Sequence, residues 1–331
     1  MLDIKVTVIM PTFNSEKTIR YSLDSIKNQN FDTDELECLV IDGGSKDKTL
    51  EIAREYTFVK ILQNPERVPE IAKLIGFKNA KGSHIIKMDS DEAFENADAI
   101  SGRLNALNEF PDAHIAVANE LKPMGNGVSN SYLNYCGDPF SYFIYKPQST
   151  ILKTYEKNIS ARSGEICLLK FKENEPRPIA DGGTTTFDRE FVLENFNDCQ
   201  IDASFISSVS DKILDLTNTC ICVENDSVLH RSRGRFKDYI KKIRFRVINN
   251  IFTPAESGFS NIKIFLSNRK LLFPFYVISF ILPLLDSVKL TIKHKDFSFM
   301  LHPVYCYCTL FLIAWYYMLK IFHLKKSNKE Y

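Results

Sequence analysis

Short β-branched runs and amphipathic stretches alternate along the first 120 residues of the chain. The runs predict five strands, at residues 4–10, 36–41, 58–62, 84–88 and 114–118. Apolar positions at helical spacing predict helices between them, at residues 16–27, 48–56, 69–80 and roughly 97–108. This alternation favours an α/β fold in which helices cover both faces of a mostly parallel sheet. We expect Pro11 to end the first strand, and Asn14 and Ser15 to cap the first helix.

Three polar loops directly follow predicted strands. They are Pro11–Asn14, Asp42–Ser45 and Asp89–Asp91. In open α/β sheets, ligands bind at the carboxyl ends of the strands. We therefore expect the three loops to converge on one edge of the sheet, although dozens of residues separate them along the chain.

The carboxylates of Asp89 and Asp91 lie one residue apart at the end of a strand that looks buried. Hard oxygen ligands of this kind suit Mg²⁺ or Mn²⁺, which usually keep water and bind substrate phosphates. A nucleotide-diphosphate site is one interpretation, and a helix cap or turn is the other. Asp42 can accept hydrogen bonds from a base or a ribose. Gly43 and Gly44 let the backbone approach a ligand, or simply form a tight turn.

The composition narrows the classes of function. The chain has 331 residues, of which 44% are hydrophobic, enough for one large or two modest domains. A net charge of +1 argues against nucleic acid as a partner. The sequence contains neither GxGxxG nor GxxxxGK[ST], which disfavours a Rossmann dinucleotide site or a P-loop. Eight cysteines without a CxxC pair, in a chain with no visible signal peptide, are expected to be reduced and cytosolic.

Three segments resemble, in order and spacing, the family 2 glycosyltransferases, which are inverting enzymes of the GT-A fold. They are Val8–Asn14, Leu39–Thr49 and Gly76–Asp91. The resemblance is strong over residues 4–120 and looser over 120–250. The residues that it implies in donor binding are Pro11, Thr12, Glu16, Asp42, Gly43, Asp89, Ser90 and Asp91.

The resemblance also implies individual roles. Thr12 and Glu16 would line the nucleotide pocket, and Asp42 would contact the base. Asp89 would lie near the ribose and phosphates, and Asp91 would bind a Mn²⁺ or Mg²⁺ that bridges to the diphosphate. Such a cation stabilises the charge that develops on the leaving group. A further loop, at residues 181–187, would lie beside the donor sugar and the acceptor.

An inverting transfer needs a carboxylate that takes the proton of the acceptor. The family often supplies it from a Glu-Asp pair, and the second half of this chain has no such pair. Alignment from the later segment Val228–His230 favours Asp211, at a predicted helix start. Asp202 is the second candidate and Asp198 the third, and each has a helix cap as its alternative role. His230 is a third metal candidate beside the acidic motif, or else a structural histidine.

The C-terminal part becomes basic and then strongly apolar. Eight Arg and Lys residues and one Asp lie between 231 and 246, with apolar residues at helical spacing. This pattern predicts a basic amphipathic helix, on an anionic membrane surface or packed on the catalytic domain. Two uncharged apolar runs follow, at residues 271–285 and 297–318, and only the second is long enough to cross a membrane. The two runs have three alternative interpretations: helices that cross a membrane, a half-inserted hairpin, or a soluble helical pair at a dimer interface.

The predicted organisation is a catalytic domain over residues 1–230, a basic linker helix over 231–260 and a membrane-associated helical region over 261–331. Residues 1–120 are expected to bind the nucleotide and residues 120–230 the acceptor. The predicted reaction is a metal-dependent, inverting transfer from a nucleotide-diphosphate sugar to a glycan hydroxyl or a polyprenyl-phosphate-linked acceptor. We expect it on the cytosolic side of a membrane, in lipid-linked glycan or cell-surface polysaccharide synthesis, with homo-oligomer contacts through the C-terminal helices. The alternative is an inactive nucleotide-sugar-binding scaffold, because the Glu-Asp pair is missing.

Overall fold

The computed structural model describes residues 4–125, 127–173, 175, 185–232, 234–252 and 268–322. The chain divides into two compact units. The N-terminal unit contains Met1–Lys122 and Thr150–Arg231, and the C-terminal unit contains Pro123–Ser149 and Ser232–Tyr331. Residues 123–149 therefore group with the C-terminal unit, and the predicted functional division of the chain at 120, 230 and 260 stays a prediction.

The described residues form ten strands and fourteen α-helices. The strands are β1 (Val6–Thr12), β2 (Leu36–Asp42), β3 (Val59–Gln63), β4 (His84–Lys87), β5 (Glu92–Phe94), β6 (Ile115–Pro123), β7 (Ile159–Ser163), β8 (Ile166–Lys170), β9 (Thr186–Asp188) and β10 (Thr219–His230). The helices are α1 (Ile19–Lys27), α2 (Thr49–Ala53), α3 (Pro69–Asn79), α4 (Ala99–Glu109), α5 (Asn130–Cys136), α6 (Pro139–Tyr145), α7 (Ile151–Thr154), α8 (Arg189–Asn195), α9 (Ala203–Ser207), α10 (Val209–Thr217), α11 (Phe236–Phe252), α12 (Phe273–Ile278), α13 (Ile281–His294) and α14 (His302–Ile321).

One mixed sheet forms the centre of the N-terminal unit. Its described strands follow the order β3-β2-β1-β4-β9-β6-β10-β8-β7, and β5 pairs with β10. β1 runs parallel to β2 and β4, and β2 runs parallel to β3. The predicted parallel arrangement is therefore confirmed for the strands that lead into the polar loops. β9 lies antiparallel between β4 and β6, an insertion that the alternation of strands and helices did not predict.

Residues of β1 alternate between two apolar layers. Val6, Val8 and Met10 are fully buried in a layer shared with α1 and α2. Ile9 is fully buried in the other layer, together with residues of α3, α8, α9 and α10. Successive side chains of a strand point to opposite faces, so helices cover both faces of the sheet, as predicted. Gly76 permits the close packing of α3, because a Cβ there would lie 2.4 Å from Cγ2 of Ile9.

The first strand continues through a proline that was expected to end it. Pro11 pairs with Ile41 inside the parallel ladder, and β1 ends at Thr12. The Ile9 carbonyl accepts a hydrogen bond from the N–H of Met88, just past the end of β4. The backbone nitrogen of Pro11, two residues after Ile9, points toward the same side of β1, where β4 has already ended. The ladder therefore does not need the N–H that proline lacks.

The first helix begins later than predicted. α1 begins at Ile19, with Thr18 as its N-cap residue. Asn14 has a left-handed backbone, with φ of 49°, and its side chain bonds the loop after β2 instead of capping α1. Glu16 consequently lies in a loop and not in the first turn of a helix, which corrects the prediction.

α4 carries a fully buried arginine. Arg103 donates to Asp226 of β10 twice, from Nε to Oδ2 at 2.5 Å and from Nη2 to Oδ1 at 3.0 Å. It also donates to Thr186 Oγ1 at 3.3 Å, and its guanidinium carbon lies 5.4 Å from the ring centre of Phe94. Neither charged side chain is more than 2% exposed. One ion pair thus connects α4 with β5, β9 and β10.

The described part of the C-terminal unit is helical and has polar side chains in its interior. His302 is fully buried and bonds Tyr132 through Nδ1 and Tyr276 through Nε2, the latter at 2.8 Å. Tyr276 donates to Asp286 at 2.7 Å, and Asp286 also pairs with Lys146. This network joins α5, the residue after α6, α12, α13 and α14.

Among the described residues, one helical stretch, Phe297–Ile321, is long and apolar enough to cross a membrane. About a third of it is buried inside the protein. The segments Arg269–Ile278 and Ile281–His294 would reach that length only together, and they meet at 93°. Length and composition are weak support for membrane association, because interior helices of soluble proteins share them.

Candidate active site

The three polar loops meet at the carboxyl end of the parallel strands, as predicted. Ser15, after β1, bonds Ser90, after β4, through their hydroxyl oxygens at 2.8 Å. Asn14 donates its N–H to Ser45 Oγ at 2.8 Å and accepts the Lys46 N–H at 2.9 Å. The loop after β1 therefore contacts both other loops, and the three form one edge of the sheet.

Glu16 fastens the loop after β1 to the loop after β2. Its N–H donates to Asp47 Oδ2 at 3.1 Å, and its Oε2 accepts the Lys48 N–H at 3.2 Å. The structure thus gives Glu16 a part in shaping this edge. Its predicted place in the lining of the nucleotide pocket stays a prediction.

Asp42 closes the turn after β2. Its carboxylate, 1% exposed, accepts from the Gly44 N–H at 2.9 Å, the Ser45 N–H at 3.0 Å and the Ser45 hydroxyl at 2.5 Å. Gly44 has φ of 87°, which glycine adopts without strain. The Gly43 N–H donates to the Thr12 carbonyl at 2.8 Å. The tight turn is therefore observed, and a contact between Asp42 and a base stays a prediction.

A short strand brings a distant histidine to the acidic motif. β5 pairs antiparallel with the end of β10, with Glu92 opposite His230. His230 Nε2 lies 3.6 Å from Asp91 Oδ2, and the Arg231 N–H donates to the Asp91 carbonyl at 2.8 Å. The Asp91 side chain is 39% exposed and that of His230 13%. A ligand can therefore reach Asp91, while the histidine supports it from the protein side.

Glu92 is a buried carboxyl group that the sequence interpretation missed. It is 3% exposed, its Oε2 accepts the Asp89 N–H at 2.9 Å, and its own N–H donates to the Asp89 carbonyl at 3.0 Å. Burial raises the pKa of Glu92 well above its usual value, and the charges of Asp89 and Asp91 raise it further, whereas Lys73 opposes them. The two bonds fix the backbone of the acidic turn. The only sequence signal was a third acidic residue directly after Asp-Ser-Asp.

Two buried threonine hydroxyls lie on either side of β4, one at the end of β1 and one directly before β9. Thr12 Oγ1 and Thr185 Oγ1 have no hydrogen-bond partner within the described part of the chain, and the residues are 5% and 1% exposed. The Thr185 carbonyl accepts the Lys87 N–H at 3.0 Å, at the end of β4. Buried hydroxyls without a partner are costly, which suits them to bond a ligand. Of the predicted loop at 181–187, residues 181–184 lie outside the described residues.

The two candidate bases differ in their surroundings. Asp202 is the N-cap residue of α9, and its Oδ1 accepts the Phe205 N–H at 2.7 Å. Asp211 lies in the first turn of α10, as predicted, and is partly exposed. Asp202 thus caps a helix, which was the alternative to its role as the base. The assignment of Asp211 as the base stays a prediction.

Asp91 and His230 could bind a cation together with the oxygens of a diphosphate. No group of three or more His, Cys, Asp or Glu residues in the described ranges could hold a metal ion by itself. Mg²⁺ is usually bound by one or two carboxylates together with substrate phosphates and water. One carboxylate and one imidazole at 3.6 Å, with exposed Asp89 beside them, suit a cation that arrives with the donor.

Residues 7–175 match the family model described as glycosyl transferase family 2. The chain belongs to this family. The matched segment contains all three polar loops, from β1 to the acidic turn, and ends before α10 and β10. The family resemblance predicted from the three sequence segments is therefore confirmed.

Two curated relatives of this glycosyl transferase family 2 protein are much longer than the matched segment. Glycosyltransferase GlyA of Streptococcus pneumoniae is 28% identical over 160 residues, which are 47% of this chain and 22% of that protein. Dolichyl N-acetyl-alpha-D-glucosaminyl phosphate 3-beta-D-2,3-diacetamido-2,3-dideoxy-beta-D-glucuronosyltransferase of Methanococcus voltae is 29% identical over 153 residues, which are 38% of this chain and 47% of that protein. The chain thus spans about half or less of these relatives.

A solved structure shows the same fold. Mannosyltransferase PcManGT from Pyrobaculum calidifontis, in complex with GDP-Man and Mn²⁺, matches with a TM-score of 0.58 and 16% identity. The match covers 94% of this chain and 87% of that one. The predicted GT-A fold is confirmed, and at this identity the likeness concerns the fold alone.

Proposed function

We propose that this protein transfers a sugar, with inversion, from a nucleotide-diphosphate sugar bound at the carboxyl edge of β1, β2 and β4. The observation that carries the proposal is the meeting of three polar loops around Asp91, with His230 at 3.6 Å. The buried Thr12 hydroxyl supports it, because it lacks a partner within the described residues. Membership of the family supports transfer rather than binding alone.

The donor site would be built from the turns described above. The Asp42 turn presents Gly43 and Gly44, which have no side chain to exclude a nucleotide. Asp91 and His230 would hold Mn²⁺ or Mg²⁺, and the cation would stabilise the charge on the leaving diphosphate. Asp89 would orient the ribose and phosphates, and its backbone is fixed for this by Glu92. The Mn²⁺ in the PcManGT complex supports the choice of metal.

The transfer itself forms one bond and breaks one. The acceptor oxygen bonds the anomeric carbon as the bond from that carbon to the diphosphate oxygen breaks, and a nucleoside diphosphate leaves. With a hydroxyl acceptor, Asp211 would take the proton. Its support is its partly exposed position in the first turn of α10, whereas Asp202 is committed to capping α9.

We place the reaction on the cytosolic side of a membrane, with a glycan or polyprenyl-phosphate-linked acceptor. The apolar helical stretch Phe297–Ile321 supports membrane association. The name of the Methanococcus voltae relative, which specifies a dolichyl phosphate derivative, supports a lipid-linked acceptor.

A donor screen tests the proposal. Detergent-solubilised full-length protein is incubated with a panel of nucleotide-diphosphate sugars and with Mn²⁺, Mg²⁺ or EDTA, and released nucleoside diphosphate is measured. We expect one donor class to be turned over, EDTA to stop the reaction and Asp91→Asn to abolish it. Asp112→Asn, at an exposed turn before β6, is the matched control and should leave the rate unchanged. Donor binding without turnover across the panel would favour the inactive scaffold, and the absence of binding would refute the site.

A further inference from the structure

The outward face of α14 is strongly apolar, although polar side chains are buried on its inward face. Large side chains at helical spacing are exposed along it and at the residue after it, namely Val304, Tyr307, Phe311, Trp315, Met318 and Phe322. The inward face carries His302, Tyr305, Thr309 and Tyr316, each at most 4% exposed. A helix on the surface of a water-soluble protein has charged and polar residues on its outward face instead.

The neighbouring helices continue this pattern. On α13, the exposed side includes Ile281, Leu284, Leu285, Val288 and Ile292, whereas Pro283, Ser287 and Leu290 face inward. On α12, Phe275 and Ile278 are 72% and 68% exposed. We call the exposed apolar residues of α12, α13 and α14 the outer apolar surface. Contiguous apolar surface of this extent indicates an interaction site.

Cations border the outer apolar surface. Lys289 and Lys293 are exposed on one side of the apolar stripe of α13. α11 packs against the inward face of α14, through Tyr305 and Tyr316, and its exposed cations are Lys237, Lys241, Lys242 and Arg244. Asp286, one of two acidic residues between 268 and 322, is already paired with Lys146. Anionic headgroups complement Lys289 and Lys293, whereas a second copy of the chain would bring these cations against each other.

The packing of α11 along α14 argues against a crossing helix. Phe236, at the start of α11, stacks on Tyr305 with ring centres 5.6 Å apart. Lys320, at the end of α14, donates to the carbonyl of Ile251 near the end of α11 at 2.6 Å. The two helices therefore run side by side along most of their length. A crossing α14 would carry the exposed cations of α11 into the hydrocarbon, which is strongly unfavourable.

The bend between α12 and α13 argues against a crossing, because α13 alone is too short to cross. Its two segments meet at 93°, and Phe280 at the corner has φ of 55°. The 14 residues of α13 reach about 21 Å, against roughly 30 Å of hydrocarbon. Arg269 precedes α12 and Lys293 lies near the end of α13, so both ends of the pair carry charge.

We propose that the C-terminal unit lies in one leaflet of a bilayer that contains anionic phospholipids, and that neither α14 nor α12–α13 crosses it. The outer apolar surface enters the acyl region, and the bordering cations bind headgroup phosphates. The proposal rests on the membrane association in the proposed function and adds the lipid class and the topology.

Vesicle binding tests the lipid class. Full-length protein is sedimented with vesicles of phosphatidylcholine alone or mixed with phosphatidylglycerol. We expect binding to the anionic vesicles, weakened by added salt, and about tenfold or more weaker binding for Lys289→Glu/Lys293→Glu. Lys157→Glu/Lys170→Glu, at exposed positions of the N-terminal unit, should bind as the unchanged protein does. Equal binding to both vesicles, or a stable dimer that binds neither, would overturn the proposal.

The topology is tested with the single tryptophan, Trp315, on the outer apolar surface. Its depth is measured by quenching with lipids labelled at different depths, and compared with that of Phe311→Trp/Trp315→Phe. An in-plane helix puts both positions at equal depth. A crossing helix puts position 311 about 6 Å closer to the midplane, because four residues separate the two positions, and that result would overturn the proposal.

Donor turnover separates this proposal from the proposed function. Nucleoside diphosphate release is measured in detergent on the same preparation as vesicle binding. Turnover without vesicle binding would refute the membrane surface alone. Vesicle binding without turnover or donor binding would refute the transferase and leave the surface supported.

Discussion

Removing one partner of the buried pair Arg103–Asp226 should destabilise the N-terminal unit far more than breaking an exposed pair of similar geometry. Arg103→Met removes the partner of a carboxylate that is 2% exposed, together with the two hydrogen bonds to that carboxylate and the one to Thr186. An uncompensated buried charge of this kind costs about 3–5 kcal/mol. Arg103→Met/Asp226→Leu removes both charges and should regain most of that loss, because apolar residues of similar size often replace buried ion pairs without cost.

The chain contains a matched control for this change. Arg20 also donates twice to one carboxylate, that of Glu55, at 2.7 and 2.6 Å, but both side chains are 49% exposed. Solvent screens such a pair, so Arg20→Met should change stability little. Urea unfolding of the full chain, followed by hydrogen exchange in peptides from α4 and β10, measures the free energy of unfolding of this unit. Equal losses for Arg103→Met and Arg20→Met would refute the assignment to burial.

Four further outcomes are expected. Asp211→Asn should lower turnover by ~10² or more at unchanged donor affinity, and if Asp202→Asn does so instead, the base assignment is wrong. Glu92→Ala should weaken Mn²⁺ binding, because it removes the acceptor of the Asp89 N–H in the acidic turn. Glu92→Gln keeps an acceptor and should bind Mn²⁺ more tightly than Glu92→Ala. A Mn²⁺ titration compares the two variants. Asp42→Ala should open its turn and weaken nucleotide binding, measured by calorimetry. Burial lowers the pKa of His84, so on acidification the unfolded chain binds this proton before the folded protein does, near pH 6.5. The unchanged protein should therefore lose stability as the pH drops below 6.5. The urea midpoint of His84→Gln should decrease less steeply over the same pH range.

Local patterns predicted the parallel strands well because these strands are buried on both faces. Val6–Met10 and Leu36–Ile41 are almost continuously apolar, and their observed boundaries differ from the predicted ones by about two residues at most. The polar loops could be placed for the same reason, since they begin where the apolar runs end. Their convergence follows from the parallel arrangement.

The missed features depend on partners far away in the chain. Glu92–Phe94 is too short to show a period of two, and it is a strand only because Val228–His230 pairs with it. Arg103 looks like a surface residue of an ordinary helix until Asp226 lies opposite it. Glu16 was assigned to a helix because nothing local shows that its neighbours bond the loop after β2.

The position of β10 has a consequence for synthesis of the chain. It is the last of the described strands to be translated, yet it lies inside the sheet between β6 and β8 and ends at His230. A nascent chain can assemble the parallel strands and the acidic turn early, but it gains the histidine only when nearly all of the N-terminal unit has left the ribosome. Pairings over such sequence distances form slowly. If Asp91 and His230 form the proposed cation site, a product truncated before β10 would lack it, and donor binding would begin only after β10 has joined the sheet.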